Sequence, residues 1–380
     1  MSSTPGRFSR TITLFRCEVV ESRGVKISPL IAALCLASAG PACAGQARTP
    51  HQQVSQTEVD VAVRVEMTRQ HIQGLALGVI RDGQIVLAKG YGDADVGTEA
   101  PVTIETVFSI GSLSKQFLAA ATMLLVEDRR VDLDASIIEY LPDAPPTWRA
   151  ITVRNLLNHT SGLMREGPAF RPDRTVPDIE IVRSAYASPL LFSPGDRFEY
   201  SNLGYFVIAE VISRRSGVPW PDFVKARIFD QAGMTASGLT SAEDRSGKRA
   251  RGHEWVGGEV VPIQPMAALR PSGAFVSSLA DLMRWDNALD GDVVLSPTSR
   301  QTMWSAARFT DGTEGAYGLG WRVEQINGLL EIGHGGSIPG FRSYYARFPQ
   351  ERLSVIVLTN EGDDDPRMIA HAVAQRYLSH

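Results

Sequence analysis

The tetrad Ser112-Leu113-Ser114-Lys115 sets a hydroxyl and an amine three residues apart, where residues 115–127 are rich in Ala, Leu and Met at helical spacing. On a helix, side chains three apart share a face, one turn from each other. A serine hydroxyl becomes a competent nucleophile once a neighbouring base takes its proton. Lysine can be that base only after losing its own proton, which burial or nearby positive charge promotes. The start of a helix adds a positive end and free backbone N–H groups that can stabilise an oxyanion. Of the 38 basic residues only Lys26, Lys89, Lys115, Lys225 and Lys248 are lysines. A lysine kept in an arginine-dominated chain points to release of a proton, which arginine does not do.

Two further groupings lie downstream. Tyr200-Ser201-Asn202 follows a Pro194-Gly195 turn and precedes a helix-like stretch, residues 203–214. A tyrosine near two cations can become a phenolate and act as general base. Asn202 offers both a donor and an acceptor, suited to holding a substrate amide and fixing Lys115. His334-Gly335-Gly336 sits in a glycine-rich segment, residues 333–340, whose lack of side chains lets a backbone strand approach a substrate closely. Each grouping alone has a plainer account: a solvated lysine at a helix start, a half-buried tyrosine, a hairpin turn with an incidental histidine.

Taken together and in this order, the three resemble one family, the serine hydrolases related to class C β-lactamases and to serine DD-peptidases. Its members carry Ser-x-x-Lys, then Tyr-x-Asn, then Lys-Thr-Gly or His-x-Gly at comparable distances. The resemblance runs from about Gly74 to the end of the chain. It includes Phe108-Ser109-Ile110-Gly111, Leu156-Leu157-Asn158-His159-Thr160-Ser161-Gly162-Leu163 and Tyr317-Gly318-Leu319-Gly320-Trp321. The resemblance implies that Ser112 forms an acyl-enzyme and that Lys115 assists its deprotonation. It further implies that Tyr200 relays the proton and later activates water, and that Asn202 contacts substrate. The backbone N–H groups of Ser112 and Ser337 would form the oxyanion hole, with His334, Gly335 and Gly336 lining the substrate site. His334 and Gly335 stand where those β-lactamases carry a lysine and a hydroxyl residue that bind a substrate carboxylate. A neutral imidazole is a weaker anchor than an ammonium, so poor penicillin turnover is expected. Arg342 is a replacement anchor if it points inward.

The elements that must position these residues are legible at both chain ends. Residues 74–80 and 84–89 are apolar β-prone runs joined by Arg81-Asp82-Gly83, a hairpin signal. Residues 107–110 form a short apolar run. Residues 57–70, 203–214 and 279–289 read as helices, with Ser277 a candidate cap for the last. Residues 319–324, 329–332, 344–348 and 353–360 read as strands, and residues 365–378 as an amphipathic closing helix. Asp363-Asp364-Asp365 reads as a solvated helix start. The expected fold is α/β (α+β): one antiparallel sheet built from both ends, flanked by helices, with an inserted mainly helical lobe.

The 380 residues carry a net charge of −4 and show no basic run with interleaved aromatics, so a small-molecule or peptide substrate is expected and nucleic acid is not. There is no Gly-x-Ser-x-Gly elbow and no His-Glu-x-x-His or paired ligand spacing; neither metal nor other cofactor is expected. His71, His159 and His253 read as structural or surface residues. Cys17, Cys35 and Cys43 all precede Gly45. Arg23 and Lys26, an apolar run over residues 27–39, and Ala42-Cys43-Ala44 have the order of an export signal cleaved after Ala44, with Val25 an alternative start. Residues 1–44 are thus read as a signal region, 45–56 as a flexible lead-in and 57–380 as a single catalytic domain, exported to the periplasm or secreted. No other apolar run is long enough for a stable membrane span, and nothing in the sequence fixes an oligomeric state. The leading expectation is hydrolysis of an ester or amide, either a small ester or a D-amino-acid peptide or amide. The alternatives are a class C-type β-lactamase and a catalytically idle peptidoglycan-peptide-binding protein; intact Ser112, Lys115 and Tyr200 argue against idleness. The substrate-pocket walls are expected from loops including residues 164–177 and 252–271.

Overall fold

The computed structural model describes residues 54–240, 248–264, 266 and 270–379. The expected signal region, residues 1–44, lies outside them. In chain order, helix α1 (Gln56–Arg69) leads into strands β1 (Gly74–Arg81), β2 (Gln84–Asp95), β3 (Ala100–Pro101) and β4 (Val107–Ser109). A 3-10 turn, Gly111–Leu113, opens α2 (Ser114–Glu127). The inserted lobe then carries α3 (Val153–Leu157), α4 (Asp178–Ser184), α5 (Asn202–Ser216), α6 (Trp220–Val224) and α7 (Asp230–Ala232). It continues through β5 (Gly238–Leu239), β6 (His253–Val256), β7 (Glu259–Pro262), β8 (Phe275–Ser278), α8 (Leu279–Asp290) and α9 (Pro297–Met303). Strands β9 (Arg322–Ile326), β10 (Leu329–Ile338), β11 (Phe341–Phe348) and β12 (Leu353–Thr359) and helix α10 (Pro366–Leu378) close the chain. No helix among the described residues is long and apolar enough to cross a membrane.

Seven strands form one antiparallel sheet in the order β3-β2-β1-β12-β11-β10-β9. The two ends of the chain meet where β1 pairs with β12, Leu75 opposite Thr359 through Arg81 opposite Leu353. The expected α/β fold with a sheet built from both ends is the one found. Strand β1 is apolar and buried from Gly74 to Ile80 because both its faces are covered. Ala76 and Ile80 join the core shared with the helical lobe, while Leu75, Leu77 and Val79 pack with Val59 and Val63 of α1 and Ile369 and Val373 of α10. Side chains alternate across a strand, so a strand sandwiched between helices has no polar face to show in its sequence. Full burial of each such Val or Leu is worth about 1.5–3 kcal/mol.

Several boundaries differ from the sequence reading. The cap of α8 is Ser278, whose hydroxyl accepts from the Asp281 N–H at 3.2 Å, and not Ser277, which instead bonds Ser237 at 2.8 Å. The strand expected at residues 319–324 begins at Arg322, since Leu319 and Gly320 are drawn off to Met303 and Leu157 by backbone bonds of 2.8 and 3.3 Å. Strand β10 runs on through Ile338, so His334-Gly335-Gly336 are ladder residues opposite Tyr345, Tyr344 and Ser343, and the hairpin turn falls after them. In the aspartate run only Asp365 caps α10, accepting from Arg367 and Met368 N–H groups, while Asp364 is buried and its carboxyl is pushed up to about 7 by loss of solvent. The small sheet β4-β8-β5 and the β6–β7 hairpin have no counterpart in that reading.

Candidate active site

Three elements converge from distant parts of the chain. The first is the β4–turn–α2 unit. Gly111 takes φ of +52°, and a Cβ there would stand 2.7 Å from the Ser337 backbone nitrogen. Only glycine allows that backbone approach, which brings the Ser337 segment of β10 against the turn that carries Ser112. The Ser114 hydroxyl accepts from the Phe275 N–H at 3.2 Å and fixes the start of α2 to β8. Lys115, one turn beyond Ser112, is fully buried, and its Nζ lies 3.4 Å from Ser112 Oγ.

The second element is the entry to α5. Ser201 caps it by accepting from the Gly204 N–H at 3.0 Å, and its hydroxyl donates to Met164 O at 2.7 Å. The N–H groups of Asn202 and Leu203 donate to Arg165 O, at 2.8 and 3.1 Å. His159 accepts the Ser201 N–H on Nδ1 at 3.1 Å and sets its ring 4.2 Å from that of Tyr200. Of the three histidines read as structural or surface residues, this one is buried beside the site. So held, Asn202 Oδ1 accepts from Lys115 Nζ at 2.9 Å, and the Lys115 amine lies 4.6 Å from the centre of the Tyr200 ring. The structure therefore gathers Ser112, Lys115, Tyr200 and Asn202 at one point.

Burial and neighbouring charges shift the ionisation of the cluster in opposite directions at its amine and its phenol. Burial pushes the Lys115 pKa well below the ordinary lysine value. Arg270 and Arg165 lower it further, while Glu166 opposes them. Burial pushes the Tyr200 phenol up to about 12, against a downward pull from the Ser112 hydroxyl it meets and from Arg165 and Arg322. The phenolate expected from neighbouring cations is therefore not the resting form: loss of solvent outweighs their pull, and the phenol keeps its proton at neutral pH. The group brought closest to a free base is the Lys115 amine. Its other contacts, Asn202 Oδ1 and Ser272 O at 3.3 Å, are acceptors. Asn202 Oδ1 also accepts from Ser272 Oγ at 3.1 Å, and its Nδ2 donates to Glu166 Oε1 at 2.6 Å. Asn202 thus ties the lysine to an acidic residue that Arg270 Nε holds from the far side at 3.0 Å.

The third element is β10. His334 is buried. Its Nε2 meets the Tyr317 hydroxyl at 2.7 Å and its Nδ1 the Gly335 carbonyl at 2.6 Å. Burial, with Lys115 and Arg322 nearby, lowers its pKa to about 3, so the ring is neutral and both nitrogens are engaged within the protein. A Cβ on Gly336 would lie 2.0 Å from Ile110 O, which places this strand directly on the residue before Gly111. Arg342 is not brought to the cluster. Its neighbour Ser343 reaches Ile110 O at 2.9 Å, so alternation turns Arg342 to the other face, where Nη1 donates to Ile338 O and Phe341 O at 3.0 and 3.2 Å.

Residues 59–378 match the Beta-lactamase family model. The chain belongs to the Beta-lactamase family. It is 28% identical over 304 residues to Penicillin-binding protein 4* of Bacillus subtilis, covering 74% of this chain and 67% of that one. It is 29% identical over 320 residues to a D-aminopeptidase of Cereibacter sphaeroides, covering 80% and 59%. The chain spans about three fifths of the length of that D-aminopeptidase. Among solved structures, the octameric penicillin-binding protein homologue from Pyrococcus abyssi superposes with a TM-score of 0.77 at 27% identity, covering 84% of this chain and 76% of that one.

Within this Beta-lactamase family member, sequence reasoning missed Glu166, Arg165, Arg270, Ser272 and Tyr317 as individual residues of the site. The first three lie in the two loops expected to wall the pocket, so their region was legible and their pairing was not. Tyr317 opens the Tyr-Gly-Leu-Gly-Trp stretch noted as family-like, which was the one available signal for it. No grouping of three His, Cys, Asp or Glu side chains among the described residues could hold a metal ion.

Proposed function

We propose that the protein is a serine hydrolase that cleaves an ester or amide through an acyl-enzyme on Ser112. The observation that carries this reading is the buried Lys115 amine, 3.4 Å from Ser112 Oγ and held by Asn202 at 2.9 Å, with the Tyr200 phenol at the same hydroxyl. In its neutral form Lys115 takes the Ser112 proton as Oγ attacks the carbonyl carbon. The oxyanion forms between the N–H groups of Ser112 and Ser337. Tyr200, which holds its proton at neutral pH, donates it to the leaving atom and is reprotonated from Lys115. Water then attacks the acyl-enzyme, its proton returning along the same path.

The likeness to a D-aminopeptidase supports a D-amino-acid amide or peptide as substrate, with small esters as simpler alternatives. A neutral, engaged His334 and the bare Gly335 favour these over β-lactams, whose carboxylate finds no ammonium or hydroxyl on that strand. Residues 1–44 support export of the chain. The test is a panel of p-nitrophenyl acetate, D-alanine amide and a chromogenic cephalosporin, run with Ser112→Ala alongside. The ester should give a burst of one equivalent that Ser112→Ala abolishes, and the cephalosporin should turn over slowly. An unchanged ester rate in Ser112→Ala would reject the assignment. Fast cephalosporin turnover would move the reading to a β-lactamase.

A further inference from the structure

The Lys115 amine meets Ser112 Oγ at 3.4 Å, Asn202 Oδ1 at 2.9 Å and Ser272 O at 3.3 Å. A neutral amine has two N–H groups and one lone pair. With the N–H groups on the Asn202 and Ser272 oxygens, the lone pair is left for the Ser112 proton. This count holds only while Asn202 turns its oxygen to the lysine. An amide flipped end for end would present Nδ2–H to the lone pair and leave Ser112 facing an N–H. The two ends of an amide are close in size, so its partners decide which way it sits. Ser272 Oγ lies 3.1 Å from Asn202 Oδ1, but a hydroxyl donates or accepts and suits either end. Glu166 is different. Its Oε1 accepts from Asn202 Nδ2 at 2.6 Å, and an ionised carboxylate only accepts. Its Oε2 accepts from Arg270 Nε at 3.0 Å.

We propose that Glu166 is a positioning residue for the base: it holds the Asn202 amide with its oxygen on Lys115 and so aims the lone pair of the amine at Ser112. The inference rests on the serine-hydrolase reading above, and Glu166 acts in it only through Asn202. The same carboxylate has a second, opposite influence. The charged and titratable groups facing the amine are Glu166, Arg165 and Arg270, the rings of Tyr200 and Tyr205, and the neutral imidazoles of His159 and His334. Of these Glu166 alone is anionic. Burial lowers the lysine pKa, Glu166 raises it, and the two arginines lower it further. Because activity needs the neutral amine, a purely electrostatic role would make Glu166 a hindrance, whereas the orienting role makes it a help. The two roles therefore predict opposite signs when the carboxylate is removed.

The experiment follows kcat/KM for p-nitrophenyl acetate against pH in the parent, Glu166→Gln, Asn202→Ala and the double variant. Glutamine keeps the shape but has one acceptor oxygen for two donors, Asn202 Nδ2 and Arg270 Nε. With its carbonyl on Arg270, its NH2 faces Asn202 and turns the amide over. The Glu166 and Arg270 side chains are 30% and 26% exposed, so an unpaired Arg270 is hydrated and the fold is kept. Loss of the charge should move the acid limb of the profile to lower pH, while the high-pH plateau falls tenfold or more. Glu166→Ala, which has no side-chain acceptor, should lose at least as much. In the Asn202→Ala background the plateau loss from Glu166→Gln should shrink to under twofold, because the amide it acts through is gone. A plateau loss under tenfold in both Glu166 variants, or one undiminished in the Asn202→Ala background, overturns the orienting role and leaves the hydrolase reading intact. Ester turnover by the parent that Ser112→Ala leaves unchanged defeats the hydrolase reading, and this inference with it.

Discussion

Replacing Gly336 by alanine tests whether the strand behind the nucleophile sets the oxyanion geometry. The added Cβ would lie 2.0 Å from Ile110 O and 2.3 Å from Ser343 Oγ. A relaxed carbon–oxygen contact is about 3.3 Å, so the strand has to retreat from the Ile110–Gly111 turn by about 1.3 Å. The Ser343 side chain can rotate, but Ile110 O is backbone and cannot. The next residue along is Ser337, whose N–H would move with the strand, away from Ser112. A misplacement of about 1 Å costs on the order of 100-fold, and loss of one oxyanion donor costs about 10²–10³-fold. Gly336→Ala should therefore lower kcat/KM for p-nitrophenyl acetate about 100-fold, equivalent to about 2.7 kcal/mol in the barrier. Stability should fall by only about 1–3 kcal/mol, the usual cost of overpacking. Stopped-flow acylation rates beside a urea melt separate the two effects. A folded variant that acylates within threefold of the parent would refute the placement of the Ser337 N–H.

Other expectations follow from the same geometry. Tyr200→Phe keeps the ring against His159 and Lys115 but removes the proton relay, so kcat should fall by about 10²–10⁴-fold with little change in melting temperature; a loss under tenfold would remove the phenol from the mechanism. Because Lys115 must be neutral to act, kcat/KM should decline as pH falls through its depressed pKa, and no inflection from Tyr200 should appear below about pH 12. The same depression means that the unfolded chain binds more protons than the folded one, between the folded pKa and the ordinary lysine value. Stability should rise with pH across that window. Lys115→Met should remove this slope and be more stable than the parent at pH 7 though inactive; urea titrations at pH 7 and 9 would show it. Arg347 spans from β11 to Asp286 and Asp290 of α8, and Asp286 is buried. Arg347→Met should cost about 3–5 kcal/mol by stranding that carboxylate, read as a shift of the denaturation midpoint; a shift under 1 kcal/mol would refute the role given to this pair.

Sequence legibility followed periodicity and local chemistry. The hairpin of β1 and β2 was readable because Asp82-Gly83 separates two β-prone runs, and α2 because its apolar residues recur at helical spacing. Ser112, Lys115, Tyr200 and Asn202 were readable as groups because each motif is short and chemically complete. Pairings made across the chain were not readable. Nothing local in residues 164–177 or 252–271 tells that Glu166 will bridge Asn202 and Arg270, or that Arg165 will lie over the Tyr200 ring. The choice between Ser277 and Ser278 as helix cap turned on one residue of register against Asp281. Arg342 illustrates the same limit. The strand was expected only from residue 344, whereas β11 begins at Phe341 and takes in Arg342; its face depends on where the β10–β11 turn falls, which a glycine-rich segment does not fix.

The most direct measurement is the ionisation of the Lys115 amine itself. The chain has five lysines, few enough for side-chain ¹⁵N resonances to be resolved and assigned by single Lys→Arg replacements. At neutral pH Lys115 should show the shift of a free amine, or titrate well below the other lysines. An Nζ that stays protonated and titrates together with Lys89, Lys225 and Lys248 would contradict it.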